Sequence, residues 1–150
     1  MARIPLAMIL GLAALAAGCS TNGSDGADAG FDAASVQGSQ WELVSLGGTP
    51  VIESGNKPTI TFPEPGRIAG FASCNRYSGS AQVTPDGKLV LSAPNAIAVT
   101  RMACAEAALN EQETRFLQLL GGAGQMRLEG DRLSILTGER ADALVFQRKP

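Results

Sequence analysis

The chain has 150 residues, enough for one ordinary domain and a short leader. Lys and Arg number 12 against 14 Asp and Glu, a formal charge of −2, so this is not a polycation built to hold nucleic acid. With no histidine and three cysteines, Ser-His-Asp and Cys-His nucleophile systems, His-containing zinc sites and four-cysteine metal sites are excluded, and aromatics at 5% argue against a base-stacking platform.

Met1-Ala2-Arg3 is a short positive start, and Ile4 to Leu15 is an apolar run broken only by Pro5 and Gly11. A membrane-spanning helix needs about 20 apolar residues, so the run reads as the apolar region of a signal peptide. Leu15-Ala16-Ala17-Gly18-Cys19 follows, small residues before a cysteine, which is the form of a lipobox. It departs from the commonest form in having Ala16, not leucine, three places before the cysteine. Residues 1–18 are therefore expected to be a lipoprotein signal peptide, with Cys19 lipidated as the mature N-terminus. A diacylglyceryl group there would anchor the protein to a membrane, since each buried methylene contributes about 0.8 kcal/mol. The alternative is an ordinary signal peptide that leaves Cys19 a free thiol. Ser20, rather than Asp, after Cys19 suits an outer-membrane destination facing the periplasm in a cell with two membranes.

Residues 19–40 read as a lipid-anchored tether. Beyond Cys19 the segment is rich in Ser, Gly, Asp and Ala, and Phe31 and Val36 are its only large apolar residues, too few to offset chain entropy. As a coil it would span about 25 Å. Asp25, Asp28 and Asp32 make it acidic, while residues 41–150 balance 11 acidic against 11 basic residues (14 less those three; 12 less Arg3).

From Trp41 the pattern is one of short strands and tight turns. Trp41 to Ser45, Thr59 to Phe62, Arg67 to Phe71, Ser80 to Val83 and Lys88 to Ser92 read as strands in the first half. Met126 to Leu128, Leu133 to Ile135 and Leu144 to Phe146 do so in the second. Thr84-Pro85-Asp86-Gly87 is the strongest turn signal, since Pro presets φ, Asp caps the turn and Gly permits positive φ. Gly70 and Gly79 are expected at bends or bulges. Sequential hairpins of this spacing form a meander or partial barrel. One segment has helical period: Asn110 and Glu113 offer a capping box, Phe116, Leu117, Leu119 and Leu120 share one face, and Gly121-Gly122 offers a left-handed stop. The predicted core is Trp41, Leu43, Ile60, Phe62, Ile68, Phe71, Leu89, Leu91, Ile97, Phe116, Leu120, Leu128, Leu133, Ile135, Leu144 and Phe146, a set that fills the interior and leaves little to line a ligand cavity.

With Cys19 lipidated, Cys74 and Cys104 remain. Outside the cytoplasm an even remainder favours a disulfide, and closing a loop of about 30 residues contributes about 3–4 kcal/mol. The alternatives are two buried thiols, or one thiol activated by Arg76 or Arg101.

Ala72-Ser73-Cys74-Asn75-Arg76-Tyr77-Ser78-Gly79 followed by Ala98-Val99-Thr100-Arg101-Met102-Ala103-Cys104 resembles the paired signature of the META domain, the family of the HslJ-type lipoproteins. The resemblance extends to Trp41, to the Asn110-Glu111-Gln112 stretch and to the final strand into Phe146, and so covers 41–150. It implies a mainly β (α+β) fold: an antiparallel, strongly curved or incompletely closed β-barrel-like sheet with one packed helix. It further implies heat shock, an envelope-stress response and antibiotic tolerance, with no enzymatic activity, catalytic residue, cofactor or metal.

Two readings of the motif pair stay open. In the structural one, Asn75 takes a left-handed or turn-capping position, Arg76 and Arg101 meet carboxylates or carbonyls, and Met102 joins the core. In the functional one, Arg76 and Arg101 with Asn75, Ser78 and Thr100 form a rim that grips a carboxylate or phosphate. Three functions are carried forward: an envelope binding module with a protein partner, met by sheet-edge addition or in a cleft; a periplasmic barrel that binds a small ligand or lipid; and an enzyme, for which no motif pairs Glu64, Glu106 or Asp131.

Overall fold

The computed structural model describes residues 31–53, 56–138 and 140–150. The expected signal peptide, Cys19 and the tether as far as residue 30 lie outside them.

Alternation of apolar residues builds the sheet. In β1 (Gln40–Leu46) the side chains of Trp41, Leu43 and Leu46 are buried while Val44 faces out, the period-2 pattern of a strand with one wet face. β1 pairs antiparallel with β3 (Thr59–Thr61) on one side and β10 (Arg140–Arg148) on the other, with a register irregularity between Leu43 and Ser45, and the two-residue β2 (Thr49–Pro50) folds back on its end. The path continues through β4 (Arg67–Phe71), β5 (Arg76–Val83) and β6 (Leu89–Leu91) in one direction. In the other it runs through β9 (Arg132–Thr137) and β8 (Ala123–Glu129), giving the order β6-β5-β4-β3-β1-β10-β9-β8. A tenth strand, β7 (Ile97–Val99), pairs with the first half of β5.

The two ends of this path meet. Lys88 bridges to Gln125, the Met126 N–H donates to the Gly87 carbonyl at 2.7 Å, and Gln125 Nε2 donates to the Asp86 carbonyl at 2.7 Å. The sheet is thus a nearly closed antiparallel barrel, as expected, held at the seam by the Thr84–Gly87 turn. Gly87 has φ +80°, and Lys88 N–H donates to Thr84 Oγ1.

A single α-helix among the described residues, α1 (Ala107–Gly121), sends Phe116 and Leu120 into the barrel. Phe116 meets Phe146 edge-on with centroids 6.5 Å apart and Tyr77 at 5.7 Å. With Trp41, Phe62, Phe116 and Phe146 essentially inaccessible, large side chains fill the interior, each contributing about 1.5–3 kcal/mol by burial. Of the predicted core, Phe71, Leu91, Ile97 and Leu128 are only half-buried, and Tyr77, Met126 and Val36 are further core members.

Four expectations are corrected. The last ten residues of the predicted tether belong to the domain: Ala33–Val36 form a 3-10 turn, Val36 is fully buried, Phe31 packs against the core, and the Gly38 N–H donates to the Phe62 carbonyl at 2.9 Å. One well-placed valine fills a gap that composition does not reveal. The helix starts at Ala107, not after Asn110, because Ala107-Ala108-Leu109 are strong helix formers, and Glu106 takes the N-cap place without a side-chain bond. The helix stops at Gly122 with φ −100°, not left-handed. Gly70 and Gly79 sit in regular pairing rather than at bulges; what they allow is close approach, since a Cβ on Gly70 would lie 2.1 Å from the Thr59 carbonyl oxygen, and one on Gly79 2.9 Å from that of Ala96.

Candidate functional site

The two motifs meet where β4 turns into β5. Across this turn Ser73, not Asn75, takes the unusual backbone, with φ 145°, a conformation that persists only when its surroundings hold it. Several groups hold it. Gln112 Nε2 donates to Ser73 Oγ at 2.9 Å, and Gln112 Oε1 accepts from the Ile52 N–H at 2.7 Å. Glu113, one residue on and only 7% exposed, accepts at Oε2 from the N–H groups of Cys74 (3.0 Å) and Asn75 (2.8 Å). The Cys74–Cys104 disulfide, with Cα atoms 5.5 Å apart, ties the turn to the segment before the helix.

Asn75 is 3% exposed and makes every bond its amide allows. Nδ2 donates to Glu113 Oε1 at 2.7 Å and to the Met102 carbonyl at 3.1 Å; Oδ1 accepts from Thr100 Oγ1 at 2.9 Å and from the Met102 N–H at 2.7 Å. Thr100 Oγ1 in turn accepts from the Arg76 N–H at 3.1 Å. Asn75 is therefore the internal joint between the motifs, and Glu113 is its anion.

The residues expected to form a rim divide accordingly. Asn75 and Thr100 are joined to each other inside the network. Ser78 is half-buried in mid-strand, paired across to Ala69 on β4 and Ala98 on β7. Arg76 and Arg101 are exposed and make no ion pair among the described residues, contrary to the structural expectation. The Arg76 guanidinium lies 4.9 Å from the Phe71 ring centroid. Met102, expected in the core, is 64% exposed because the Asn75 amide holds its backbone at the surface while the side chain points away. Two shallow hollows adjoin at Thr100: one of about 410 Å³ beside Arg101 and Met102, and one of about 390 Å³ beside Arg76 and Ser78.

Cys74, Cys104 and Glu113 bring potential ligand atoms within 4.8 Å of one another. Both sulfurs are committed to the S–S bond, and both Glu113 oxygens accept hydrogen bonds, so these donors do not fit a metal in the oxidised protein. Neither Glu113 nor Gln112 stands out in the sequence as a partner of the Cys74-Asn75 turn. Glu113 carries only a local signal, three residues after Asn110, and that signal points to a cap.

A family model described as the META domain matches residues 34–150. The chain belongs to the META domain family. It is 30% identical over 135 residues, 90% of each chain, to the Escherichia coli (strain K12) protein named heat shock protein HslJ. Among solved structures, one determined by NMR is 31% identical with a TM-score of 0.62, covering 78% of this chain and 94% of the other. A second NMR structure, of a protein from Burkholderia xenovorans, is 22% identical with a TM-score of 0.59 over 97% of this chain and 99% of its own, and shows the common fold. The META match begins at residue 34, within the 3-10 turn that carries Val36.

Proposed function

We propose that this META-domain protein is a lipid-anchored component of the cell envelope that acts by binding a protein partner, not by catalysis, during heat or envelope stress, with a consequence for antibiotic tolerance. The name of the HslJ relative supports the link to heat shock. The lipobox at Cys19 supports the anchor, and the residue after it supports an outer-membrane site facing the periplasm.

The observation that carries the binding reading is the division of the motif pair. Its buried polar groups bond to one another, while Arg76, Arg101 and Met102 project from the same small patch into solvent. Two exposed arginines in adjoining hollows, neither in an ion pair among the described residues, with an exposed, adaptable methionine beside Arg101, suit recognition of a partner carboxylate next to an apolar side chain. The buried carboxylate nearest the patch, Glu113, has both oxygens bonded to the turn, which supports a positioning role over an acid–base one.

The test is crosslinking in intact cells, resting and heat-stressed, with the native protein and an Arg76→Ala/Arg101→Ala variant, followed by mass spectrometry. A defined protein partner that is lost in the variant is the expected result. Capture of the same partner by both proteins would overturn the assignment of the patch, and capture of none in either state would favour the second reading, a ligand- or lipid-binding barrel. An open groove of about 800 Å³ along the seam gives that second reading its structural basis.

A further inference from the structure

The barrel seam is closed at one end only. Beyond the Lys88–Gln125 bridge, β6, the loop 92–96 and β7 diverge from the end of α1 and the start of β8, leaving the open groove of about 800 Å³. Leu89, Leu91, Ile97, Val99 and Leu117 supply aliphatic walls, Val90 at its lip is 47% exposed, and among the described residues Lys88 is the only charged one lining it. Its size is that of a small-molecule site; its polar side chains are Ser92 and Asn95 on the loop and the exposed Lys88 ammonium, which is already paired with Asp86 at 3.3 Å. Such a surface selects for aliphatic length rather than for a polar headgroup.

The chain's own N-terminal segment enters beside the same groove. Phe31 packs on the seam turn, so closely that a Cβ on Gly87 would lie 2.8 Å from its side chain. Gly87 is one residue from Lys88, which lines the groove's end. Cys19 is twelve residues before Phe31 in the sequence, a span whose covalent reach is at most about 40 Å. We infer that the groove is an acyl-chain site, and that its occupant is one of the acyl chains carried by this chain's own Cys19. This rests on the lipoprotein reading above and adds a regulatory consequence. Two chains in the bilayer hold an anchor stably, whereas one gives only reversible binding. A protein that withdraws one chain into its own seam is poised to leave the membrane surface.

Gly121 supplies the control variant. It lines the groove, its φ is not in the left-handed region, and a Cβ there would meet nothing within 4 Å, so Gly121→Trp fills the groove without displacing the core. The experiment grows cells on a palmitate analogue with a diazirine near its end and purifies the full lipidated protein. It is then reconstituted at low density in unlabelled phosphatidylethanolamine–phosphatidylglycerol vesicles, irradiated, and its crosslinks mapped by mass spectrometry. The expected result is intrachain crosslinks to Leu91, Ile97 and Leu117 that are lost in Gly121→Trp in favour of phospholipid adducts, with tighter vesicle binding by the variant. Crosslinks only to phospholipid, or to a second copy, in the native protein would overturn the inference while leaving the anchor intact. A purified protein with no diazirine chain on Cys19 would overturn the lipoprotein reading and this inference with it.

Discussion

Asn75 and Glu113, on a strand-entry turn and a helix 38 residues away, are bonded side chain to side chain at 2.7 Å, and Glu113 also accepts the Asn75 backbone N–H at 2.8 Å. The pair fixes the helix to the barrel and the two motifs to each other. Hydrogen bonds to an ionised acceptor contribute about 1.5–3 kcal/mol each, and a buried donor left unpaired costs about 1–3 kcal/mol. Glu113→Ala orphans the N–H groups of Cys74 and Asn75 and should therefore lower unfolding free energy by about 3 kcal/mol or more. Urea denaturation of the native protein and the variant measures it.

Asn75→Asp should be worse than Asn75→Ala at neutral pH, although it is the closer isostere. It sets an acceptor where Nδ2 now donates to Glu113 Oε1 and to the Met102 carbonyl, placing two carboxylates in contact. The deficit of the Asp variant should shrink as pH falls and one carboxyl protonates. Equal midpoints for the two variants across that range would contradict the assigned geometry.

Reduction should loosen the same turn. Opening the Cys74–Cys104 bridge, which closes a sequence separation of 30, removes about 3–4 kcal/mol on the chain-entropy model. Because Glu113 holds Cys74 by a separate bond, a Cys74→Ser/Cys104→Ser variant should keep the fold. Combining it with Glu113→Ala should give a non-additive loss in a double-mutant cycle.

Tyr77 links β5 to β3 across Gly70: its hydroxyl donates to the Thr59 carbonyl at 2.8 Å, through space that a Cβ on Gly70 would fill. Burial pushes the Tyr77 phenol well above its usual range. In the unfolded chain the phenol ionises near pH 10, whereas in the folded protein it stays neutral. This contribution is therefore complete below about pH 10 and is lost as pH rises above it. Tyr77→Phe should remove that alkaline dependence and lose about 1 kcal/mol at neutral pH. Gly70→Ala should be far more damaging, while Gly121→Ala, facing open space at the end of a helix, should be neutral or stabilising by up to about 1 kcal/mol. Thermal melts of the three variants rank them.

The sequence made the barrel legible where chemistry is local. Asp86-Gly87 and Gly130 mark hairpin turns through positive φ, and Phe116 and Leu120 mark the buried helix face by spacing. It was silent where partners are distant. Glu113 in a helix start looks like a cap, and only the fold brings the Cys74-Asn75 turn to it. β7 (Ile97–Val99) runs straight into the second motif and pairs only with the distant β5, and Val36 lies alone in polar sequence. In the motif pair, the cysteines and arginines stand out by type. That Asn75 belongs to the interior while Met102 belongs to the surface depends on one amide's bonds, which no periodicity encodes.

The motif pair has a buried half that builds the fold and an exposed half free to bind. Urea unfolding of Glu113→Ala beside Arg76→Ala/Arg101→Ala tests it directly. A large drop in midpoint is expected for Glu113→Ala and, for exposed side chains outside any ion pair among the described residues, a change within about 0.5 kcal/mol for the arginine variant. A double-arginine variant as destabilised as Glu113→Ala would place the arginines in the structural network and contradict the claim.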